Sequence, residues 1–168
     1  MSHLYLIGMP GCGKTTLGKR LSSTLNLPFC DLDVRVEQRE GATIPSLFQH
    51  GESYFRDAET RTLKETATLS PAVVSTGGGI IIREENAHIM KESGKIIFID
   101  SAPEQIIARS DLSNRPLIGA DAQRIYSLYE ARISLYRGCA DVTVENNGRA
   151  DDAFACLLAA AKRLMDIE

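Results

Sequence analysis

Residues Gly8-Met9-Pro10-Gly11-Cys12-Gly13-Lys14-Thr15 constrain this chain more than any other stretch. The spacing is Gly, four residues, Gly, Lys, then a hydroxyl residue. An apolar run, Leu4-Tyr5-Leu6-Ile7, leads into it, and a helical pattern follows from Lys14 to about Leu25. That context turns the match into a strand–loop–helix unit. Glycines permit backbone angles that a side chain would forbid, so the loop's N–H groups can converge on an anion. The helix beginning there adds unsatisfied N–H groups and the positive end of its dipole. Lys14 then reaches the outer phosphates of a nucleoside triphosphate, and the Thr15 hydroxyl holds a magnesium ion.

Apolar runs and helical patterns alternate along the rest of the chain. Leu4–Ile7, Pro28–Cys30, Ala72–Thr76, Ile96–Asp100 and Val142–Val144 read as strands, several of them continuously apolar as in strands buried on both faces. Helical stretches fall near 14–25, 33–39, 45–49, 53–68, 84–93, 103–110 and 122–137, with a last one near 150–165. The alternation predicts an α/β fold, a five-stranded parallel sheet flanked by helices in three layers. The 168 residues suit one domain, and no repeat or linker divides them. Two stretches break the rhythm. Extra helices between 33 and 68 suggest an insertion over the mouth of the sheet, its substrate-binding part at about 33–60. The polar segment at about 111–121, with Pro and Gly, reads as a lid loop.

A net charge of −3 offers no general basic surface for nucleic acid or an anionic membrane. No apolar run approaches bilayer length and no signal stretch opens the chain, so a cytoplasmic address is expected. A self-contained site of this size is expected to work as a monomer. Cys12, Cys30, Cys139 and Cys156 show no metal or redox spacing. Cys12, inside the loop beside Lys14, is expected to be the reactive thiol, with the other three buried. His3, His50 and His88 share no spacing and read as structural or surface residues.

Three further groups carry chemistry. Asp31-Leu32-Asp33 closes the second strand at the sheet end where open α/β proteins bind ligands. Alternation along an extended segment would put both carboxylates on one side and turn Leu32 inward. One carboxylate can order a magnesium shell through water; the other can hold or deprotonate an acceptor hydroxyl. A plain N-cap role is the alternative. Gly77-Gly78-Gly79 follows the third strand and suggests close backbone approach by a ligand. Arg56, with Glu59 three residues on, Arg115 before Pro116, Arg132 on a helix and Arg149 past the last strand offer guanidinium forks for carboxylate or phosphate.

Taken in order, these elements resemble the shikimate kinase family from Leu4 to about Ala153. The match rests on the phosphate loop, Asp31-x-Asp33, Gly51-Glu52-x-x-Phe55-Arg56-x-x-Glu59, Thr76-Gly77-Gly78-Gly79, Arg115-Pro116-Leu117 and Glu130-Ala131-Arg132 with Tyr136. Cys12 stands where that family usually has Ser or Ala, and the lid looks trimmed. The resemblance implies a P-loop kinase that uses magnesium and transfers the ATP γ-phosphate to the 3-hydroxyl of shikimate, on the route to chorismate and aromatic amino acids. It implies that Asp33, Arg56, Gly78 and Arg132 bind shikimate, the two arginines taking its carboxylate. Gly11, Cys12, Gly13, Lys14, Thr15 and Thr16 would wrap the phosphates, with Thr15 on magnesium and Asp31 in its outer shell. Arg115 would descend onto the phosphates, and Arg109 and Arg149 would flank the adenine. The rival readings are a small P-loop kinase for gluconate or a nucleoside monophosphate, and a nucleotide-binding regulatory domain. No Asn-Lys-x-Asp guanine-reading motif occurs, which argues against a GTPase.

Overall fold

The computed structural model describes residues 2–111 and 120–167. Its strands are β1 (His3–Ile7), β2 (Phe29–Asp31), β3 (Val73–Ser75), β4 (Gly94–Asp100) and β5 (Val142–Glu145). They form one sheet in the order β2-β3-β1-β4-β5, every neighbouring pair parallel. The register sets Leu4 beside Val73 on one flank and beside Lys95 on the other. Leu4, Tyr5, Leu6 and Ile7 are all fully buried, as are Ile96 to Ile99. Because successive side chains point to opposite faces, burial of consecutive residues requires cover on both faces, which is what an unbroken apolar run signals.

That cover comes from α1 (Lys14–Leu25), α2 (Leu32–Glu40), α3 (Ile44–Gln49), α4 (Glu52–Ala67), α5 (Glu84–Ser93), α6 (Pro103–Asp111), α7 (Ala120–Cys139) and α8 (Ala150–Leu164), with a 3-10 turn at Ile80–Ile82. In α8, Ala153, Phe154, Leu157, Ala160 and Ala161 are buried, one stripe at helical spacing. The helix packs on α1, and Arg20 of α1 pairs with Asp151 at 2.6 Å. On α4, Phe55, Ala58, Glu59, Thr62, Leu63 and Thr66 turn inward at the same period. Strand bounds differ from the pattern-based ones by one or two residues. The second helix starts at Leu32, one residue before its expected start, because the Asp31 carboxylate caps it.

The connection from β1 leaves toward β2 while that from β4 leaves toward β5, so a crevice opens at their carboxyl ends. α2, α3 and the start of α4 stand beside this crevice around a small apolar cluster of their own, Val36, Leu47, Phe55 and Ala58. No helix among the described residues is long and apolar enough to cross a membrane.

Candidate active site

The loop after β1 turns through Gly8, Gly11 and Gly13, with φ of 149°, 79° and 102°. Space as well as angle requires glycine at two of them. A Cβ on Gly8 would lie 2.5 Å from the Ile99 carbonyl oxygen, and one on Gly13 would lie 2.7 Å from Asn146 Nδ2. Asp31 and Thr43 cap α2 and α3 with their side chains, whereas α1 begins at Gly13 with no side-chain cap. Its first-turn N–H groups therefore face the crevice, a cavity of about 640 Å³ lined by Gly11, Gly13, Lys14, Thr15 and Thr16. Lys14 is 8% exposed, and its Nζ donates to the carbonyls of Gly8 (2.8 Å) and Met9 (2.9 Å).

The loop is held from behind by residues that sequence reasoning missed. Asn146, just past β5, donates from Nδ2 to the Cys12 carbonyl at 2.9 Å. Ser101 Oγ donates to the Asn146 carbonyl at 2.7 Å and accepts from Arg109 Nη2 at 2.6 Å. In the sequence, Asn146-Asn147-Gly148 looks like an ordinary turn, and nothing nearby marks Asn146 as a partner of residue 12. Arg109 does line the cavity, pinned at its rim by these contacts. Arg149 is exposed at the start of α8; its neighbours Gly148 and Ala150 line the cavity, and its own side chain does not. Arg115 and most of the 111–121 segment lie outside the described residues.

Two expectations about cysteine are corrected. Cys12 is fully buried: its Sγ packs against the loop, 3.6 Å from Lys14 Nζ, and has no open path to a reagent. Of the three cysteines expected to be buried, Cys139 is, Cys30 is half-buried, and Cys156 is exposed because it sits on the solvent side of the α8 stripe. His3 is structural, its Nδ1 accepting from the Ala72 N–H at 3.2 Å while burial lowers its pKa; His50 and His88 are exposed.

Asp31 and Asp33 both line the large cavity with Leu32 buried between them, but not by strand alternation. Asp31 ends β2 and caps α2, accepting from the N–H groups of Asp33 (3.1 Å) and Val34 (3.3 Å). Asp33 stands in the first helical turn. Burial pushes the Asp33 carboxyl above its usual range and the Asp31 charge adds to the rise, while Lys14 and Arg56 oppose it. Thr15 Oγ1 lies 3.5 Å from Ser75 Oγ at the end of β3, and Ser75 also faces this cavity, another residue the sequence did not single out.

A second cavity of about 210 Å³ adjoins the first and shares Pro10, Asp33 and Gly78 with it. Arg56, Glu59, Gly77, Gly79 and Arg132 line it. Arg56 is 7% exposed and Glu59 fully buried; their Nη1 and Oε2 pair at 2.8 Å. Arg56 Nε and Glu59 Oε1 are buried without a hydrogen-bond partner among the described residues. Burial raises the Glu59 pKa, with Arg56 pulling it back. The glycines make room for this pair. A Cβ on Gly77 would come within 2.8 Å of Asp33 Oδ1 and 3.0 Å of Glu59 Oε1, and one on Gly79 would overlap the Arg56 guanidinium. Tyr136, stacked on Phe98 and buried, donates its hydroxyl to the Gly78 carbonyl at 2.5 Å with Arg132 beside it. Arg124 and Leu128 of α7 also line this cavity and had drawn no notice in the sequence.

A parallel sheet, a lysine-bearing phosphate loop and a second cavity that shares an acidic residue with the first define a P-loop kinase for a small acceptor molecule. The family model for shikimate kinase matches residues 10–162. A shikimate kinase of Clostridium beijerinckii is 46% identical over 146 residues, covering 87% of this chain and 86% of that protein. The shikimate kinase of Acinetobacter baumannii, whose solved structure is a complex with shikimate, superposes with a TM-score of 0.86 at 33% identity, covering 99% of this chain and 94% of that one. The chain belongs to the shikimate kinase family, whose members are ATP-dependent phosphotransferases. A gluconokinase of Sinorhizobium meliloti, at 16% identity and a TM-score of 0.70, shares the fold alone.

Proposed function

We propose that this protein transfers the γ-phosphoryl group of ATP to the 3-hydroxyl of shikimate, giving shikimate 3-phosphate and ADP for aromatic amino acid synthesis. The observation that carries the reading is the second cavity. It pairs a buried, glutamate-braced arginine and a second arginine with the acid Asp33, at the edge of a phosphate site. A carboxylate at one end of a hydroxylated acceptor fits the arginines, and a hydroxyl at its other end fits Asp33.

ATP phosphates lie across the loop from Gly11 to Thr16, with the α1 N–H groups and the Lys14 ammonium as donors. Lys14 already stands at the cavity floor and exchanges its carbonyl partners for phosphate oxygens. Arg115 is assigned to the phosphates by the family resemblance, as Arg109 and Arg149 are to the adenine. Arg56 and Arg132 fix the shikimate carboxylate, and Gly77 to Gly79 let the ring approach the backbone. Asp33 accepts the hydrogen bond of the 3-hydroxyl and takes its proton as the phosphoryl group moves; its raised pKa suits it to that task.

Magnesium fits the oxygen atoms present. Thr15, Ser75 and Asp31 offer a few hard oxygen donors on one wall of the phosphate cavity, the small protein share that magnesium takes beside phosphate and water. Bound there, the ion offsets charge on the outer phosphates. The test is ADP release by purified protein with Mg-ATP over shikimate, gluconate and nucleoside monophosphates. Turnover is expected with shikimate and near background with the rest. Faster turnover of gluconate or a nucleotide overturns the assignment.

A further inference from the structure

Four residues of α7 repeat every four positions on the face turned to the acceptor cavity: Arg124, Leu128, Arg132 and Tyr136. The first three line the cavity, and the fourth hydrogen-bonds to Gly78 at its wall. Spacing of four keeps side chains on one face of a helix, stacked one turn above another. Exposure falls steadily along this stripe. Arg124 is exposed, Leu128 and Arg132 are half-buried, and Tyr136 is fully buried. Among the described residues, the cavity therefore opens toward solvent at the Arg124 end and closes at the Tyr136 end. Eight residues separate the two arginines, about 12 Å along the helix axis.

The charges on this cavity are unevenly answered. Three guanidinium groups, Arg56, Arg124 and Arg132, face two carboxylates, Asp33 and Glu59. Glu59 is committed to Arg56 at 2.8 Å, and Asp33 is shared with the phosphate cavity. Arg132 lies beside the Tyr136 hydroxyl. Arg124 has no hydrogen-bond or ion-pair partner among the described residues, although it stands on the same face as another arginine. A surface helix gains nothing from an unpaired arginine aimed over a cavity that already holds two. An anion arriving at the mouth would gain from it.

We infer that Arg124 is the entry contact for the acceptor's carboxylate, a specificity-determining residue that attracts anionic acceptors into the cavity without touching the reacting hydroxyl. This rests on the acceptor being a small carboxylate, as proposed above. Charge at a cavity mouth acts mainly on capture, and its effect weakens as salt screens it. Arg56 and Arg132 hold the bound carboxylate; Arg124 meets it first and adds affinity from the open side.

The test is steady-state kinetics on the full chain with shikimate varied at saturating Mg-ATP, for wild type, Arg124→Ala, Arg124→Glu and Arg124→Lys, at low and high potassium chloride. In Arg124→Ala the shikimate KM is expected to rise about three- to tenfold, with kcat within about twofold of wild type. Arg124→Glu should raise KM further, Arg124→Lys should restore most of the loss, and the KM for ATP should not move. Wild-type kcat/KM for shikimate should fall with salt more steeply than that of Arg124→Ala. An Arg124→Glu protein with the wild-type KM and salt dependence overturns the inference while leaving the kinase reading intact. So does a variant that loses kcat at unchanged KM, since that places Arg124 in the chemistry. Wild-type protein that cannot turn over shikimate fails the functional reading itself, and the entry role with it.

Discussion

Asp33 meets two opposed demands. As an acceptor for a hydroxyl proton it works best when its pKa is raised, and burial together with the Asp31 charge raises it. The same shift works against the folded state. A carboxyl that binds its proton more tightly when folded contributes stability below the ordinary Asp range and loses it as the pH climbs through the raised value. Above that value the ionised Asp33 therefore weakens the free protein, since Lys14 and Arg56 only partly offset its burial. Asp33→Asn keeps the shape and removes the charge. It is expected to lower phosphoryl transfer to shikimate by about 10²- to 10⁴-fold while leaving ATP affinity nearly intact. It is also expected to melt above wild type where wild-type Asp33 is ionised, with the gap narrowing as the pH falls through the raised Asp33 value. Thermal melts on both sides of that value, run beside the turnover assay, check both halves. A variant that melts below wild type at every pH contradicts the charge argument.

The glycine triplet after β3 and the side chains of α4 show what an element contributes beyond its residues. Arg56 keeps its place because Glu59, one turn on, braces it and because Gly79 has no Cβ to push it away. Gly79→Ala is therefore expected to act at a distance from its own backbone. The added methyl would overlap the guanidinium, and overpacking a buried site costs about 1–3 kcal/mol. Shikimate affinity should fall at least about tenfold, as from the loss of a charge-assisted contact, with ATP affinity unchanged by calorimetry. Gly138→Ala, whose Cβ would meet nothing within 4 Å, is the control and should leave both affinities alone. The Arg56–Glu59 brace was legible in the sequence because a spacing of three on a helix decides it locally. So was the phosphate loop, whose function is written in consecutive residues, and so were the buried strands, whose apolar runs have one structural meaning. Asn146, Ser75 and Arg124 were not legible. Each acts on a partner or a cavity supplied by a distant part of the chain, and none departs from what a turn, a strand end or a helix surface ordinarily shows. The burial of Cys12 was hidden for the same reason: the loop's composition gives no hint of which way a side chain points. At Asp31-Leu32-Asp33 both carboxylates reach the cavity, but through a helix cap at Asp31, the alternative the sequence left open, and not through strand alternation, since a capping aspartate and a strand end look alike over three positions.

At the scale of the whole molecule, two apolar clusters of unequal size carry the two halves of the site. The large one runs through the sheet and its covering helices and includes all four apolar residues of β1 from Leu4 to Ile7. The small one, Val36, Leu47, Phe55 and Ala58, holds α2, α3 and the first turns of α4 together. Local opening free energy follows the apolar contacts an element would lose, so the small cluster should open well before the sheet does. Asp33 and Arg56 stand on α2 and α4, whereas Arg132 stands on α7, which packs on β4. An acceptor held between them ties the weaker unit to the stronger one. Binding only to the closed arrangement then stabilises it by mass action, by about 2.7 kcal/mol at a hundredfold excess over Kd. In hydrogen exchange of the ligand-free protein, amides of residues 32–58 are expected to exchange faster than those of β1 and β4. Saturating shikimate should slow residues 32–58 by up to about a hundredfold, the equivalent of that stabilisation, and change β1 and β4 far less. ADP with magnesium, which needs the loop and α1 but not Arg56, should protect residues 8–25 instead. Equal protection of the two clusters without ligand, or a shikimate effect spread evenly over the sheet, would mean that the insertion is as firmly built as the core and that acceptor binding does not act through it.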